Sequence, residues 1–555
     1  MSDLRANKRD GNMSMRNVAR RDFLKAIGLG AAALAIPGCT NASAKSVFAH
    51  TDQRKRNQPN ILILMTDQQR FDSLSCYGCR AISTPNLDRL AQQGALFENC
   101  YPSCPVCTPG RASMWTGKSV SGHGVYKLHD ILPDDQILVS KRLQDVGYET
   151  SLVGKLHVSG IWHEAENRHP NDGFEHYHWC IDPGLNFDSP YNSYARWVEK
   201  KNPVFYRRLK KEGKSLHHFP AEVHFTRWAA ETTVDLIRKR DKERPFFLLM
   251  SLFDPHDPYY DHPLEAAEMV NEDKIPEPQP MPNDEYTPEV IKRELAKSRA
   301  IKNESETFKA SIRNQRKGYL ASIAFLDREM GKVLDCLDVQ GLTENTLVIF
   351  VSDGGDMMYD RGLFTKGAFF YDPTVRVPFL IRFPGRIPAG TRVKSPVQHL
   401  DVAATALSLA GFSRKKLNEI MPESMDLLSL IQQGKKYENY RDYAVCAYRN
   451  SGYGPGHKYF DPPIYATMFR DERFKINVYH NSSGNGNSEG ELYDMENDPY
   501  EKDNLWNNAQ YAKVKAGLLQ RFLDWMVENN VRNFGSRGGE KFFTLKKNYY
   551  GGENK

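Results

Sequence analysis

Past its first forty residues, this 555-residue chain has no apolar run long enough to cross a bilayer, which excludes a helical membrane protein. It also has little net charge. Of the formal +6, residues 1–39 supply +4 (seven Lys and Arg against three Asp), leaving +2 for everything downstream. So neutral a body gives no electrostatic case for nucleic acid as a partner. Internal repeats are absent, which argues against a repeat array. Cysteine is sparse, nine in all, and its arrangement excludes more than it suggests. Two CxxC pairs occur, Cys76 with Cys79 and Cys104 with Cys107, but the 24 residues between them lie outside zinc-ribbon spacing. A thioredoxin-like reading lacks the small βαβ context and leaves Pro109 and Arg111 unexplained. As a buried structural thiol, Cys107 would sit in Cys107-Thr108-Pro109-Gly110-Arg111, which has too few apolar positions to be core.

What is present begins with a targeting pattern. Arg20-Arg21 precede Phe23-Leu24-Lys25 and an eleven-residue apolar run, Ala26 to Ile36, the size of a signal h-region. The twin arginine resembles a Tat signal, implying the Tat translocase as a partner. Two exits compete. Ile36-Pro37-Gly38-Cys39 resembles a lipoprotein box with a lipid anchor at Cys39, whereas Ala42-Ser43-Ala44 would release a soluble protein. Export to the periplasm, to a membrane-anchored lipoprotein or to the medium is expected.

A mass of 63.5 kDa suits one large α/β domain with a smaller companion. Strand-like runs start at Ile61 and cover 148–157, 245–256 and 345–356. Between them lie helical patterns such as 86–97 and 319–337. Strands alternating with helices imply a mostly parallel sheet covered on both faces. Residues 259–318 form a polar insertion expected as a surface excursion or active-site rim. From about 431 the pattern changes to short strands, a Gly/Asn/Ser loop over 481–490 and a final helix near 510–527. The expected organisation is a signal segment over 1–44, a linker over 45–57, a catalytic domain over 58–430 and a C-terminal subdomain with antiparallel sheet and helix over 431–555.

Open α/β sheets bind ligands at the carboxyl ends of their strands. Those ends carry Asp67-Gln68, Lys155 and His157, His256 and Asp353. Singly, each reads as a turn residue, a helix cap or a satisfied surface group. Together, acid, base and imidazole at one sheet edge suit a metal-assisted site for an anionic substrate.

Cys107-Thr108-Pro109-Gly110-Arg111 resembles the Cys-x-Pro-x-Arg signature of the formylglycine-dependent sulfatases, of the alkaline phosphatase-like superfamily. The likeness extends in family order from about 58 to 505. Ile63 to Arg70 is similar to the first metal-binding strand, and Lys155-Leu156-His157 to the Lys-x-His element. Pro255-His256-Asp257-Pro258 is similar to the PHxP loop, and Ser352-Asp353 with Lys366-Gly367 to the second metal strand and its following lysine. Residues 375–385 and 491–505 also resemble sulfatase sequence.

The resemblance implies a mixed, mostly parallel sheet between helices, with a smaller C-terminal α+β subdomain. It also implies that Cys107 is converted to formylglycine by a formylglycine-generating enzyme. One oxygen of the hydrated aldehyde attacks sulfur, and the other later expels sulfate. By the same resemblance Arg111 orients position 107 and offsets its oxyanion. Lys155, His256 and Lys366 bind sulfate oxygens and protonate the leaving oxygen, and His157 takes the proton of the second hydroxyl. Asp67, Gln68, Asp353 and position 107 hold Ca2+. After the second metal-strand aspartate the family usually supplies Asn or His, but here stands Gly354. Water or Asp356 then fills the position, or the metal binds weakly, or activity is lost. The expected substrate is a sulfated carbohydrate or aryl sulfate ester. The alternatives are a phosphonate monoester or phosphodiester hydrolase, and a catalytically impaired sulfated-glycan binding protein.

Overall fold

The computed structural model describes residues 58–281, 286–297, 305–451, 460–480 and 488–535, all within one compact unit, Lys55–Lys555. The signal segment 1–44, the cleavage candidates at Cys39 and Ala42-Ser43-Ala44, and the linker 45–57 lie outside the described residues. No described helix is long and apolar enough to cross a membrane.

The elements that build the site are, in chain order, β1 (Asn60–Thr66), α1 (Pro85–Gln93), β2 (Ala95–Tyr101), α2 (Cys107–Thr116), β3 (Glu149–Gly154) and β4 (His176–Trp179). They continue with α3 (Phe225–Lys239), β5 (Phe246–Ser251), α4 (Glu289–Lys297), α5 (Glu306–Val339), β6 (Thr346–Ser352), β7 (Val377–Arg382), β8 (Thr391–Val393) and β9 (Val397–Gln398). The nine strands form one sheet in the order β4-β3-β5-β1-β6-β7-β2-β8, with β9 against β2. From β4 to β6 all neighbours are parallel, and β7 is antiparallel to both β6 and β2. This is the expected mixed, mostly parallel sheet.

Strand β1 shows why its sequence is apolar throughout. Leu62 and Leu64 pack on one face with Trp228 of α3 and Phe325 of α5. Ile61, Ile63 and Met65 pack on the other with Ala112, Met114 and Trp115 of α2. A strand covered on both faces cannot alternate in polarity.

Three local expectations change. The helix expected over 86–97 stops at Gln93, and Ala95-Leu96-Phe97 opens β2 instead. Gly94 marks the break: a Cβ there would lie 2.1 Å from the Ile381 carbonyl oxygen of β7. That pairing is long-range, Ala95 opposite Ile381, and leaves no trace in local periodicity. Second, Cys107-Thr108-Pro109-Gly110-Arg111, expected to be too polar for the core, is the first half of α2, in which every residue is buried. Several of its polar side chains find partners inside the protein. Ser113 Oγ lies 2.9 Å from His123 Nε2, and Thr116 Oγ1 donates to Ala112 O at 2.7 Å. Third, the 259–318 insertion is more than a surface excursion. Tyr259, Val290 and Ile291 are buried, and Glu294 of α4 accepts from Ala368 N at 2.7 Å, beside Lys366.

The C-terminal region adds an antiparallel sheet of β10 (Ala444–Arg449), β11 (Tyr465–Arg470), β12 (Phe474–His480) and β13 (Glu489–Asp494), followed by α6 (Ala512–Gly535). Strand β13, which the sequence reading did not assign, begins at the end of the loop expected over 481–490. Phe469, Ile476 and Leu492 pack one face of this sheet against Leu518 and Phe522 of α6. Toward the large sheet, Ala447 N donates to Ser103 O at 2.8 Å, just ahead of Cys107. The buried Lys475 ammonium pairs with Asp372 at 2.6 Å and with Glu501.

Candidate active site

The carboxyl ends of β3, β5, β1 and β6 are adjacent, and each delivers part of the site. Asp67 and Gln68 follow β1, Lys155 and His157 follow β3, His256 follows β5, and Asp353 follows β6. Helix α2 begins beside them, with Cys107 as its first residue, only 4% exposed. The structure therefore brings together all nine residues singled out above.

Arg111, one turn into α2 and fully buried, ties the four strand ends together. Its Nε donates to Asp353 Oδ2 at 2.6 Å and its Nη2 to Asp67 Oδ2 at 3.2 Å. Its Nη1 donates to Lys155 O and to Ser251 Oγ, both at 2.9 Å. Such a fork is pre-organised for two carboxylates at once.

Asp67 lies at the centre of the positive charge. Lys155 Nζ reaches its Oδ2, and Lys366 Nζ stands 3.5 Å from its Oδ1. Burial alone would raise the Asp67 carboxyl, but Lys155, Lys366, His256 and Arg111 hold it well below the usual range. Burial would likewise lower the Lys366 ammonium, yet the facing Cys107, Asp67, Asp353 and Asp257 push it above its ordinary value. Lys366 thus stays charged, as anion binding requires.

The two histidines are driven in opposite directions. His256 stacks on Phe253 with ring centroids 4.8 Å apart and donates from Nδ1 to Asp257 O at 2.8 Å. Burial opposes its protonation, but Asp257 and Asp67 outweigh burial and raise its pKa, so it remains an acid above the ordinary range. His157 is lowered well below its ordinary value, by burial first and then by Lys155, and is neutral.

The tautomer of His157 follows from its neighbours. Thr108 Oγ1 donates its single proton to Leu128 O at 2.8 Å, so toward His157 Nε2, 2.9 Å away, it can only accept. The proton is thus on Nε2. Nδ1 keeps its lone pair, buried and without a hydrogen-bond partner among the described residues. His157 has a positive φ of 57°. Its loop is fixed by Glu164, which accepts from the backbone N–H of His157, Val158 and Ser159 at 2.9, 2.6 and 3.0 Å.

Sequence reasoning missed Glu164, Thr108 in this role, Ser251, Tyr259 and Asp257. Thr108 and Asp257 sit inside recognised motifs and could have been questioned. Nothing local distinguishes Glu164 from any helical glutamate.

Comparison with known proteins agrees with this geometry. A family model described as Sulfatase matches residues 59–412, and one described as N-sulphoglucosamine sulphohydrolase, C-terminal, matches 360–528. The chain is 30% identical over 480 residues to a choline-sulfatase of Rhizobium meliloti, covering 84% of this chain and 86% of that one. It is 28% identical over 494 residues to an arylsulfatase of Clostridium perfringens, covering 87% and 97%. Among solved structures, a phosphonate monoester hydrolase of Agrobacterium radiobacter shares the fold, with TM-score 0.69, 21% identity and coverage of 85% and 96%. A protein in complex with its substrate D-glucosamine-2-N,6-O-disulfate does so with TM-score 0.64, 23% identity and coverage of 87% and 99%. The fold and the site define a member of the alkaline phosphatase-like superfamily. Within it the chain belongs to the sulfatase family, whose reaction is the hydrolysis of sulfate esters.

Proposed function

We propose that this sulfatase acts on sulfated carbohydrate or aryl sulfate esters, with a formylglycine made from Cys107 by a formylglycine-generating enzyme and with a bound calcium ion. One observation carries the reading. A buried Cys107 stands at a helix start, facing a sheet edge that gathers two lysines, an acidic imidazole and a neutral imidazole. The donor chemistry also fits a hard cation. Among the described residues no cluster of three or more His, Cys, Asp or Glu forms a metal site by itself. Yet Gln68 Oε1 is a buried oxygen without a hydrogen-bond partner among the described residues, and Asp67 and Asp353 add two carboxylates. Asp67, Gln68, Asp353 and position 107 would hold the ion.

When present, the hydrated aldehyde supplies one oxygen for attack on sulfur and a second hydroxyl for release of sulfate, and calcium offsets sulfate charge. The chain's own residues do the rest. Lys155 and Lys366, fixed on either oxygen of Asp67, bind sulfate oxygens. His256 carries the proton for the leaving oxygen and His157 Nδ1 accepts one. Arg111 holds Asp67 and Asp353 against their mutual repulsion.

The sign of the His256 shift sets a pH test. A raised pKa keeps the imidazolium above the ordinary histidine range and loses it as pH rises through that value. The alkaline limb of kcat/KM should therefore belong to His256. His256→Gln should remove that limb and cost roughly 10²–10⁴-fold in rate. A wild-type alkaline limb retained in the variant would assign the proton to another group.

Gly354 permits a test of the metal reading. A Cβ there would meet only Pro105 O at 3.6 Å and Thr374 O at 3.9 Å, ordinary contacts, and the backbone is not in the left-handed region. The steric constraint belongs instead to Gly355, where a Cβ would lie 2.0 Å from Pro373 O. Gly354→Asn should thus fold normally and raise calcium affinity by about tenfold, read by chelator titration. Unchanged affinity in the folded variant would show that position 354 does not face the ion.

Substrate class is tested by paired rates on an aryl sulfate and an aryl phosphodiester. Preference for the phosphodiester would move the chain to the hydrolase alternative. Binding of sulfated glycan without turnover would make it a binding protein.

A further inference from the structure

Gln68 leaves β1 in a left-handed backbone conformation, φ 63°, and its side chain is fully buried. The amide nitrogen Nε2 lies on Asp356 Oδ2 and is 3.3 Å from the Tyr259 hydroxyl and 3.4 Å from Asp257 Oδ1. The Tyr259 hydroxyl donates to the same Asp356 oxygen, and Met358 N donates to Oδ1 at 2.8 Å. A carboxylate only accepts, so the amide must turn its NH2 toward Asp356. The carbonyl Oε1 is thereby left buried, without a hydrogen-bond partner among the described residues. An unpaired buried oxygen is costly, and one on the residue that follows Asp67 points to a ligand.

We propose that Asp356, with Tyr259, is a positioning residue that fixes the Gln68 amide as an oxygen donor to the cation. Its Oδ2 is shared by Gln68 and Tyr259 and its Oδ1 accepts from Met358 N, and in this arrangement Asp356 serves Gln68 rather than the cation. It does not replace the side chain that Gly354 lacks but acts through its neighbour. Partners behind a ligand commonly govern metal affinity in this way. The inference rests on the calcium reading above.

It predicts an inversion. Gln68→Glu adds a carboxylate where a hard cation should ordinarily gain from one. Here the introduced carboxylate would face that of Asp356, and like charges in a buried site oppose each other. Calcium affinity should fall about tenfold or more. Asp356→Asn should lower it too, because an amide partner no longer dictates which way Gln68 turns. The double variant Gln68→Glu/Asp356→Asn restores a donor facing an acceptor and presents a carboxylate oxygen to the ion, so affinity should return at least to the wild-type value.

The experiment is isothermal titration of calcium chloride into the purified full chain, with a thermal melt on each variant to verify folding. Absence of calcium binding by the wild type overturns the calcium reading, and this inference with it. Binding by the wild type without recovery in the double variant overturns the inference alone. Should a single variant fail to fold, Tyr259→Phe keeps charge and volume; its affinity should drop severalfold, and an unchanged value would contradict the proposal.

Discussion

Cys107→Ala is expected to lower kcat/KM on an aryl sulfate by roughly ten-thousand-fold or more, the scale on which removal of a covalent nucleophile is felt. The fold should survive. The residue begins a helix whose other first-turn contacts run through Thr108 and Arg111, and the small group lost at position 107 leaves a cavity costing about 1 kcal/mol. Sulfate binding should also survive in the variant, because Lys155 and Lys366 are untouched. Initial rates on wild type and variant, compared after both give the same melting curve, check the prediction. Activity within tenfold of wild type would remove position 107 from the chemistry.

Arg111→Met should be severe in a different respect, costing stability as well as rate. Arg111, Asp67 and Asp353 are all 0–1% exposed. Without the guanidinium, Asp353 loses its one ion pair among the described residues and keeps only the Gln68 N–H and whatever it finds nearby. Leaving a buried charge unpaired costs about 3–5 kcal/mol. Asp67 loses less, since Lys155 and Lys366 remain. Denaturant unfolding near neutral pH should show the drop. A loss under about 1 kcal/mol would mean that the carboxylates are not held by Arg111 in solution.

The parts of this molecule legible in sequence are those written into contiguous residues. The apolar runs of β1, β3, β5 and β6, each ending in a polar residue, located the sheet edge and most of the candidate site. The motif around Cys107 singled out that residue, but neither the helix that begins there nor its burial was legible, since the burial depends on strands and loops far along the chain closing over α2. Strand β2 was invisible because its partner, β7, is nearly three hundred residues away and because Ala95-Leu96-Phe97 continues a helical period. Glu164 was invisible for a related reason. Its carboxylate serves backbone N–H groups, which have no sequence identity. Asp356 was weighed only as a substitute ligand, whereas its contacts with Tyr259 and Gln68 exist only once three separate loops meet.

The central claim, an aldehyde at position 107 in an active sulfatase, is tested most directly on the peptide that carries that residue. Active protein, co-produced with a formylglycine-generating enzyme, is digested and its peptides are weighed before and after treatment with a hydrazide. The account predicts a 107-containing peptide that has lost its sulfur and is captured by the hydrazide, in proportion to specific activity across preparations. Full turnover from protein whose Cys107 is recovered quantitatively as an intact thiol would contradict it.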